Sequence, residues 1–186
     1  MRALALSLAV ALAACGGEPE PEAPAAMPEL AALLTLGEGG VGRLDGSVPF
    51  DTAAVRAALP GGFTVELRSA ETDAGLVPVA WALRDGQLVL EVFGDGGRVA
   101  RVDAVSAEVD GPDGRHVGQT FAEANGAAMD CEPGTAELGG RAVCRSGRGA
   151  PVRYVFASRL ANPGRPLPPA DSLADAFLER LVWLAD

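Results

Sequence analysis

Lysine is absent from this chain of 186 residues, so all 15 of its cationic side chains are arginine. Set against 25 Asp and Glu, they leave a formal net charge of -10 at pH 7. That balance works against nucleic acid and anionic lipid faces, which demand clustered cations. The all-arginine, Ala- and Gly-heavy composition reads first as genomic GC bias and carries no functional weight. Histidine is nearly missing too, since His116 stands alone. A Ser-His-Asp hydrolase would need it as base, yet none of Ser47, Ser106 and Ser146 lies in a G-x-S-x-G elbow. Gly114-Arg115-His116-Val117 follows a turn, which places His116 on an exposed loop. Aromatic residues make up only 5% of the chain, few for a sugar-lining groove. Trp81 and Trp183 each sit in an apolar run, where core packing is the simpler role. The Gly-rich runs at 37–42 and 94–97 match no phosphate-cradling motif. Asp110-Gly111-Pro112-Asp113-Gly114 has spaced oxygens but lacks the further carboxylates of a calcium loop, so it reads as a tight turn. Paired carboxylates abound in so acidic a chain and single out no glycosidase site. The expectation is a protein without catalytic residues, metal ligands or cofactor, and not an enzyme.

Long apolar runs are also lacking. Arg2 gives a positive start and residues 3–14 are apolar apart from Ser7. The stretch is shorter than the roughly 20 residues of a membrane-spanning helix and suits the apolar region of a cleaved signal peptide. Leu12-Ala13-Ala14-Cys15 resembles the lipobox of bacterial lipoproteins. The resemblance implies a signal peptide over 1–14, cleavage before Cys15, and lipid on Cys15. Two or more acyl chains anchor firmly, at about 0.8 kcal/mol per buried methylene. Gly16, rather than Asp, follows the cysteine, which by the usual Gram-negative sorting tendency points to the outer rather than the inner membrane. Residues 15–29 then alternate Glu and Pro without large apolar groups and read as a disordered tether. Residues 30–186 are long enough for one globular domain.

With Cys15 taken by lipid, Cys131 and Cys144 remain as an even pair in an oxidising compartment, and a disulfide is expected. It would close a loop of about 14 residues, worth on the order of 3 kcal/mol. Twelve intervening residues are not the spacing of a redox or metal couple.

A lead-in at 30–36 and a Gly-rich turn bring the chain to Phe50-Asp51-Thr52, where a helix is predicted. Asp51 caps it, Phe50 staples onto Val55, and Pro60-Gly61-Gly62 stops it after Leu59. Strands follow. Phe63, Val65 and Leu67 alternate with Thr64, Glu66 and Arg68. Residues 76–83 are nearly all apolar, and Pro78 puts them at an edge or bulge. Asp85-Gly86 turns into a strand over 87–93, and Asp95-Gly96-Gly97 into one over 98–109, whose change of apolar parity between Val102 and Val105 suggests a bulge. Thr120-Phe121-Ala122-Glu123 reads as a capping box opening a helix that Gly126 ends. Residues 135–138 and 141–145 flank Gly139-Gly140 as a hairpin, which the disulfide would pin to the segment around Cys131. Val152, Tyr154 and Phe156 form one face of another strand. Pro168-Pro169 precede a final amphipathic element with Leu173, Phe177 and Leu181 at helical spacing, and a closing strand is the alternative for its end, Arg180-Leu181-Val182-Trp183. The expected fold is α+β, a mostly antiparallel sheet of about seven strands with two or three short helices. Ser47-Val48-Pro49-Phe50 and Gly118-Gln119-Thr120-Phe121 each lead into a predicted helix and a hairpin-rich run. Two helix-plus-meander repeats would explain that echo, and so would chance.

Several segments together resemble a known family. Val41-Gly42, Pro49-Phe50-Asp51, Leu59-Pro60-Gly61, Val117-Gly118-Gln119-Thr120-Phe121, Cys131-Glu132-Pro133-Gly134, Gly140 to Cys144 and Tyr154-Val155-Phe156 are similar to the sigma-E-regulated, YfeY-like envelope lipoproteins of proteobacteria, whose function is unknown. The resemblance implies an α+β domain, a link to envelope stress and no known enzymatic activity, and it transfers no catalytic residue. The leading expectation is therefore a non-catalytic, periplasm-facing outer-membrane lipoprotein that binds another envelope protein. A module for a small molecule or lipid is one alternative, which an apolar pocket around Trp81 would favour. An acidic inhibitor of a cationic envelope-directed enzyme is another.

Overall fold

The computed structural model describes residues 34–73, 75–147, 149–158 and 165–185. The signal peptide, Cys15, the tether and the start of the lead-in lie outside them. The described residues are mostly strand. They form a three-stranded and an eight-stranded sheet, with a single α-helix and three short 3-10 turns.

Strands β1 (Leu34–Gly37) and β2 (Gly40–Val41) form a small hairpin. The chain then enters α1 (Thr52–Ala58). Asp51 caps it as expected, accepting from the Ala53 and Ala54 amides at 3.0 and 2.8 Å, a cap worth about 1 kcal/mol. Val55 and Ala58 are its buried face. Phe50, the predicted staple, lies against Gly94, where an added Cβ would come within 2.3 Å of the ring.

The large sheet opens with three successive hairpins, β3 (Phe63–Thr72), β4 (Gly75–Arg84), β5 (Gln87–Asp95) and β6 (Arg98–Ala104). Asp85 and Gly86 have φ of 51° and 77°, the left-handed pair that a two-residue hairpin needs and that Asp-Gly adopts readily. Pro78 lies where β4 has run past its pairing with β5, which starts at Val79, so the strand is locally an edge there. The parity change after Val102 is not a bulge within one strand. The strand ends at Ala104, and the chain crosses to the small sheet as β7 (Val109–Asp110), parallel to β1.

The Thr120 capping box forms, with the Glu123 amide donating to Thr120 Oγ1 at 3.2 Å and the Thr120 amide to Glu123 at 2.8 Å. No α-helix follows it. One helical turn closes on Thr120, then Asn125 turns left-handed (φ 52°) and the Gly126 amide bonds back to the Phe121 carbonyl, which ends the helix ahead of a 3-10 turn at Gly126–Ala128. The predicted two-repeat plan therefore lacks its second helix. The predicted strand at 135–138 is a 3-10 turn, Ala136–Leu138. The first arm of that hairpin is β8 (Asp130–Pro133), paired with β9 (Arg141–Arg145). Cys131 and Cys144 face each other in this ladder and are disulfide-bonded, with Cα atoms 4.0 Å apart.

Strand β10 (Val152–Ala157) pairs β9, and the final element is β11 (Phe177–Leu184), inserted between β6 and β10. The closing-strand reading thus holds and the helical one does not. A register shift opposite Val155/Phe156 leaves Glu179 as an extra residue, so of the three residues at helical spacing Leu173 lies on a 3-10 turn, Phe177 is exposed and Leu181 is buried on the other face. The order across the sheet is β3-β4-β5-β6-β11-β10-β9-β8.

One face of this sheet is apolar. Leu90, Val92, Val102, Tyr154, Phe156 and Leu181 are fully buried beneath α1, the small sheet and the Phe121 segment, which share their hydrophobic cluster. Each such side chain contributes about 1.5–3 kcal/mol on leaving water. Trp183 packs here, its indole N–H donating to the Glu38 carbonyl at 2.8 Å. Phe121 meets Phe156 edge-on at 5.1 Å, and Gly126 lets the ring approach, since a Cβ there would come within 2.4 Å of it. Leu67 departs from its predicted inward alternation. It is 59% exposed, beyond the cover of α1.

Candidate functional site

The other face of the large sheet carries charge. The pairing places Glu66, Trp81, Glu91, Asp103 and Val182 in one row across β3, β4, β5, β6 and β11. Phe93 and Arg101 are partners in the next row. Residues two apart on a strand share a face, so Arg101 and Asp103 lie side by side on β6. The bulge at Glu179 brings two consecutive side chains of β11, Glu179 and Arg180, to the same charged set.

Asp103 is the hub. It is fully buried and accepts from Arg101 twice, Nε to Oδ1 and Nη2 to Oδ2, both at 2.6 Å. Arg180 Nη1 donates to its Oδ2 at 3.0 Å. Arg180 also reaches Glu91 at 3.5 Å and Glu179 at 3.0 Å. Arg141 from β9 holds Glu179 with two bonds, 2.7 and 3.1 Å. Glu137, on the 3-10 turn between β8 and β9, closes over the sheet onto Arg101. A ladder of charge-assisted bonds thus runs Arg141–Glu179–Arg180–Asp103–Arg101–Glu137. Arg101 additionally stacks on Phe93, 4.6 Å from the ring centre.

Burial opposes the Arg101 charge, but Asp103 and then Glu137 outweigh it and raise its pKa above the ordinary arginine range. Burial likewise opposes Arg180, and Asp103 followed by Glu179 raises it. Glu179 is lowered, because Arg141 and Arg180 overcome its desolvation. Glu91 is the exception. Burial, with the Asp103 charge adding to it, pushes its pKa up despite Arg180, Arg101 and the Trp81 indole. The indole N–H is buried beside it without a well-formed hydrogen bond, and Arg180 Nε is also buried without an acceptor. A cleft of about 230 Å³ opens over this ladder, walled by the end of β3 (Ala70, Glu71, Thr72), Glu91, Phe93, Arg101, Arg180 and the turn at Glu137 and Leu138. A larger groove beside α1, about 420 Å³, is lined by a single charged side chain, Arg56.

Of the residues singled out from the sequence, only Trp81 lies on this charged face. His116 sits on a turn, its side chain 40% exposed and Nδ1 3.6 Å from Asp110. Ser47 donates to Asp45 at 2.6 Å, and Ser106 accepts from the Glu108 amide. Asp113 of the turn at 111–114 accepts from the Tyr154 hydroxyl at 2.7 Å, which ties that turn to the core. Trp81 is not a core residue as expected. It lies half-buried on the charged face, with the Arg68 guanidinium 5.7 Å from its ring. No group of three or more metal-ligating side chains occurs among the described residues. No described helix is long and apolar enough to cross a membrane. Cys15 lies outside the described residues.

Fold and site together define a mostly β domain on one large antiparallel sheet, with an apolar face for stability and, under a cleft, a part-buried ion-pair ladder centred on the buried Asp103. Residues 26–185 match the model of the family described as "Protein of unknown function (DUF1131)", and the chain belongs to that family. It is 20% identical over 149 residues to the uncharacterized protein YfeY of Escherichia coli (strain K12), covering 80% of this chain and 78% of that protein. Its fold matches the crystal structure of the uncharacterized yfeY protein from Escherichia coli with a TM-score of 0.63, at 19% identity, over 81% of this chain and 99% of that one.

Proposed function

We propose that this protein is a lipid-anchored, periplasm-facing outer-membrane lipoprotein that acts without catalysis, holding a cationic group of another envelope component in its cleft. The supporting observation is the charge balance of the cleft. Glu71, Glu91 and Glu137 line it against Arg101 and Arg180, which the buried Asp103 pairs from beneath. Glu91 ionises against burial and a neighbouring carboxylate, and an incoming ammonium or guanidinium would relieve both. The net charge of -10 speeds encounter with the same kind of partner. An inhibitor of a cationic enzyme is the case in which that group belongs to an enzyme. A link to envelope stress rests on the motif resemblance alone. Glu66, Arg68 and Glu91 around Trp81 give no support to an apolar ligand at that indole.

The test is titration of the whole chain, in detergent micelles, with an arginine-rich peptide followed by tryptophan fluorescence. Saturable binding that weakens steeply with salt, and at least several-fold in the Glu71→Gln/Glu91→Gln double variant, is expected. Binding that is indifferent to salt or to that double substitution would overturn the reading.

A further inference from the structure

The two edges of the large sheet differ in a way that points to a second interface. Edge strand β8 has four residues, ends in Pro133 and is stapled to its neighbour by the disulfide. Those are devices that protect an edge from pairing. The opposite edge, β3, has ten residues in unbroken register with β4. It holds no proline, and no described strand pairs its outer side. Leu67 at its middle is 59% exposed, flanked by Glu66 and Arg68, both also largely exposed. A long, regular edge with an uncovered leucine is what proteins avoid unless something pairs with it.

The sequence of β3 is complementary to itself. In an antiparallel pair centred on Leu67, Leu67 meets Leu67 of the second copy on the apolar face. On the charged face Glu66 meets Arg68 and Arg68 meets Glu66, two opposite-charge pairs directly across the ladder. Small or polar residues meet further out, Val65 with Ser69 and Thr64 with Ala70. A two-fold contact needs this self-complementarity. Within one copy Glu66 and Arg68 satisfy each other along the strand, and pairing exchanges that contact for the cross-strand one.

We propose that β3 is a homodimer interface, joining two copies edge to edge through Phe63–Glu71 about an axis at Leu67. Opposite residues share a face, so the two clefts open on the same side of one continuous sheet. The inference stands on the β3 edge and does not depend on what the cleft binds.

Oxidative cross-linking of the whole chain in intact cells tests it. Directly opposed residues are about 4.5–5.5 Å apart at Cα, within disulfide reach, so Leu67→Cys should yield a disulfide-linked species of twice the mass on a non-reducing gel. The unsubstituted chain should not. Neither should Leu76→Cys, which is more exposed (77%) but lies on β4 opposite Glu71, about 30 Å from its mate, three strand spacings across and eight residues along. Adding Glu66→Arg turns both charge pairs repulsive and should lower the linked fraction roughly tenfold. Adding Arg68→Glu as well should restore it. Native mass spectrometry of the unsubstituted chain should show the same dimer. A Leu67→Cys chain that stays monomeric, equal linking through Leu76→Cys, or failure of the charge exchange to restore linking would overturn the interface.

Discussion

Removing the Asp103 carboxylate should be the most damaging single change to the charged face. Asp103 is fully buried and joins Arg101 and Arg180 through three hydrogen bonds of 2.6, 2.6 and 3.0 Å. Asp103→Ala would leave two guanidinium groups in a poorly solvated site. Stripping one partner from a buried ion pair costs about 3–5 kcal/mol. Here Arg101 keeps Glu137, and Arg180 keeps Glu91 and Glu179, so the loss should fall near the lower end, about 3 kcal/mol. For a chain of this size that lowers Tm by on the order of 10 °C, and it removes a large part of a typical total stability of about 5–15 kcal/mol. Asp103→Asn, which keeps the shape and one acceptor oxygen, should lose less. Urea unfolding at pH 7, read by tryptophan fluorescence, measures both, with the slope unchanged if only stability moves. The comparison variant is Glu132→Ala, which breaks the exposed Arg145–Glu132 pair, worth about 0–1 kcal/mol. An Asp103→Ala loss no larger than that of Glu132→Ala would refute the ladder as a structural hub.

Glu91→Gln should stabilise the protein at pH 7. A carboxyl raised in the folded state contributes fully below its ordinary pKa of 4.5, and that contribution is lost as pH rises through the higher folded value. The gain should therefore vanish toward pH 4, which urea midpoints at the two pH values will show. Cys131→Ser should cost on the order of 3 kcal/mol, from a bridge spanning 13 residues, and reductant should reproduce the loss in the parent but not in the variant. Gly126→Ala should destabilise by about 1–3 kcal/mol through overpacking against Phe121, and the companion Phe121→Leu should recover part of it.

The parts of the fold that local chemistry dictates were legible in the sequence. Asp51 caps a helix, Asp85-Gly86 can make only a tight reverse turn, and Tyr154 alternates inward with its neighbours. Legibility failed where distant chain decided the outcome. The Thr120 capping box is complete, yet its helix is held to one turn, with Asn125 left-handed and the Phe121 and Ala122 amides docked on the Ala176 and Ala174 carbonyls of the distant segment before β11. The extra residue at Glu179 breaks the period of two in β11 and sets Phe177 and Leu181, four apart, on opposite faces of the strand. The charged cleft was missed for a related reason. Glu91, Arg101 and Asp103 sit at alternate positions of apolar strands, the pattern of an ordinary solvated face. Nothing local in β6 tells that the turn at Glu137 and the far end of β3 will close over it.

The most direct test of the central claim is in-cell cross-linking of the full chain followed by mass spectrometry, with Cys15→Ser and Glu71→Gln/Glu91→Gln as comparisons. An anchored protein that works by holding a cationic group should yield one dominant partner, attached at the cleft and lost in both variants. No enriched partner while the protein remains in the outer membrane, or a partner indifferent to the cleft substitutions, would contradict it.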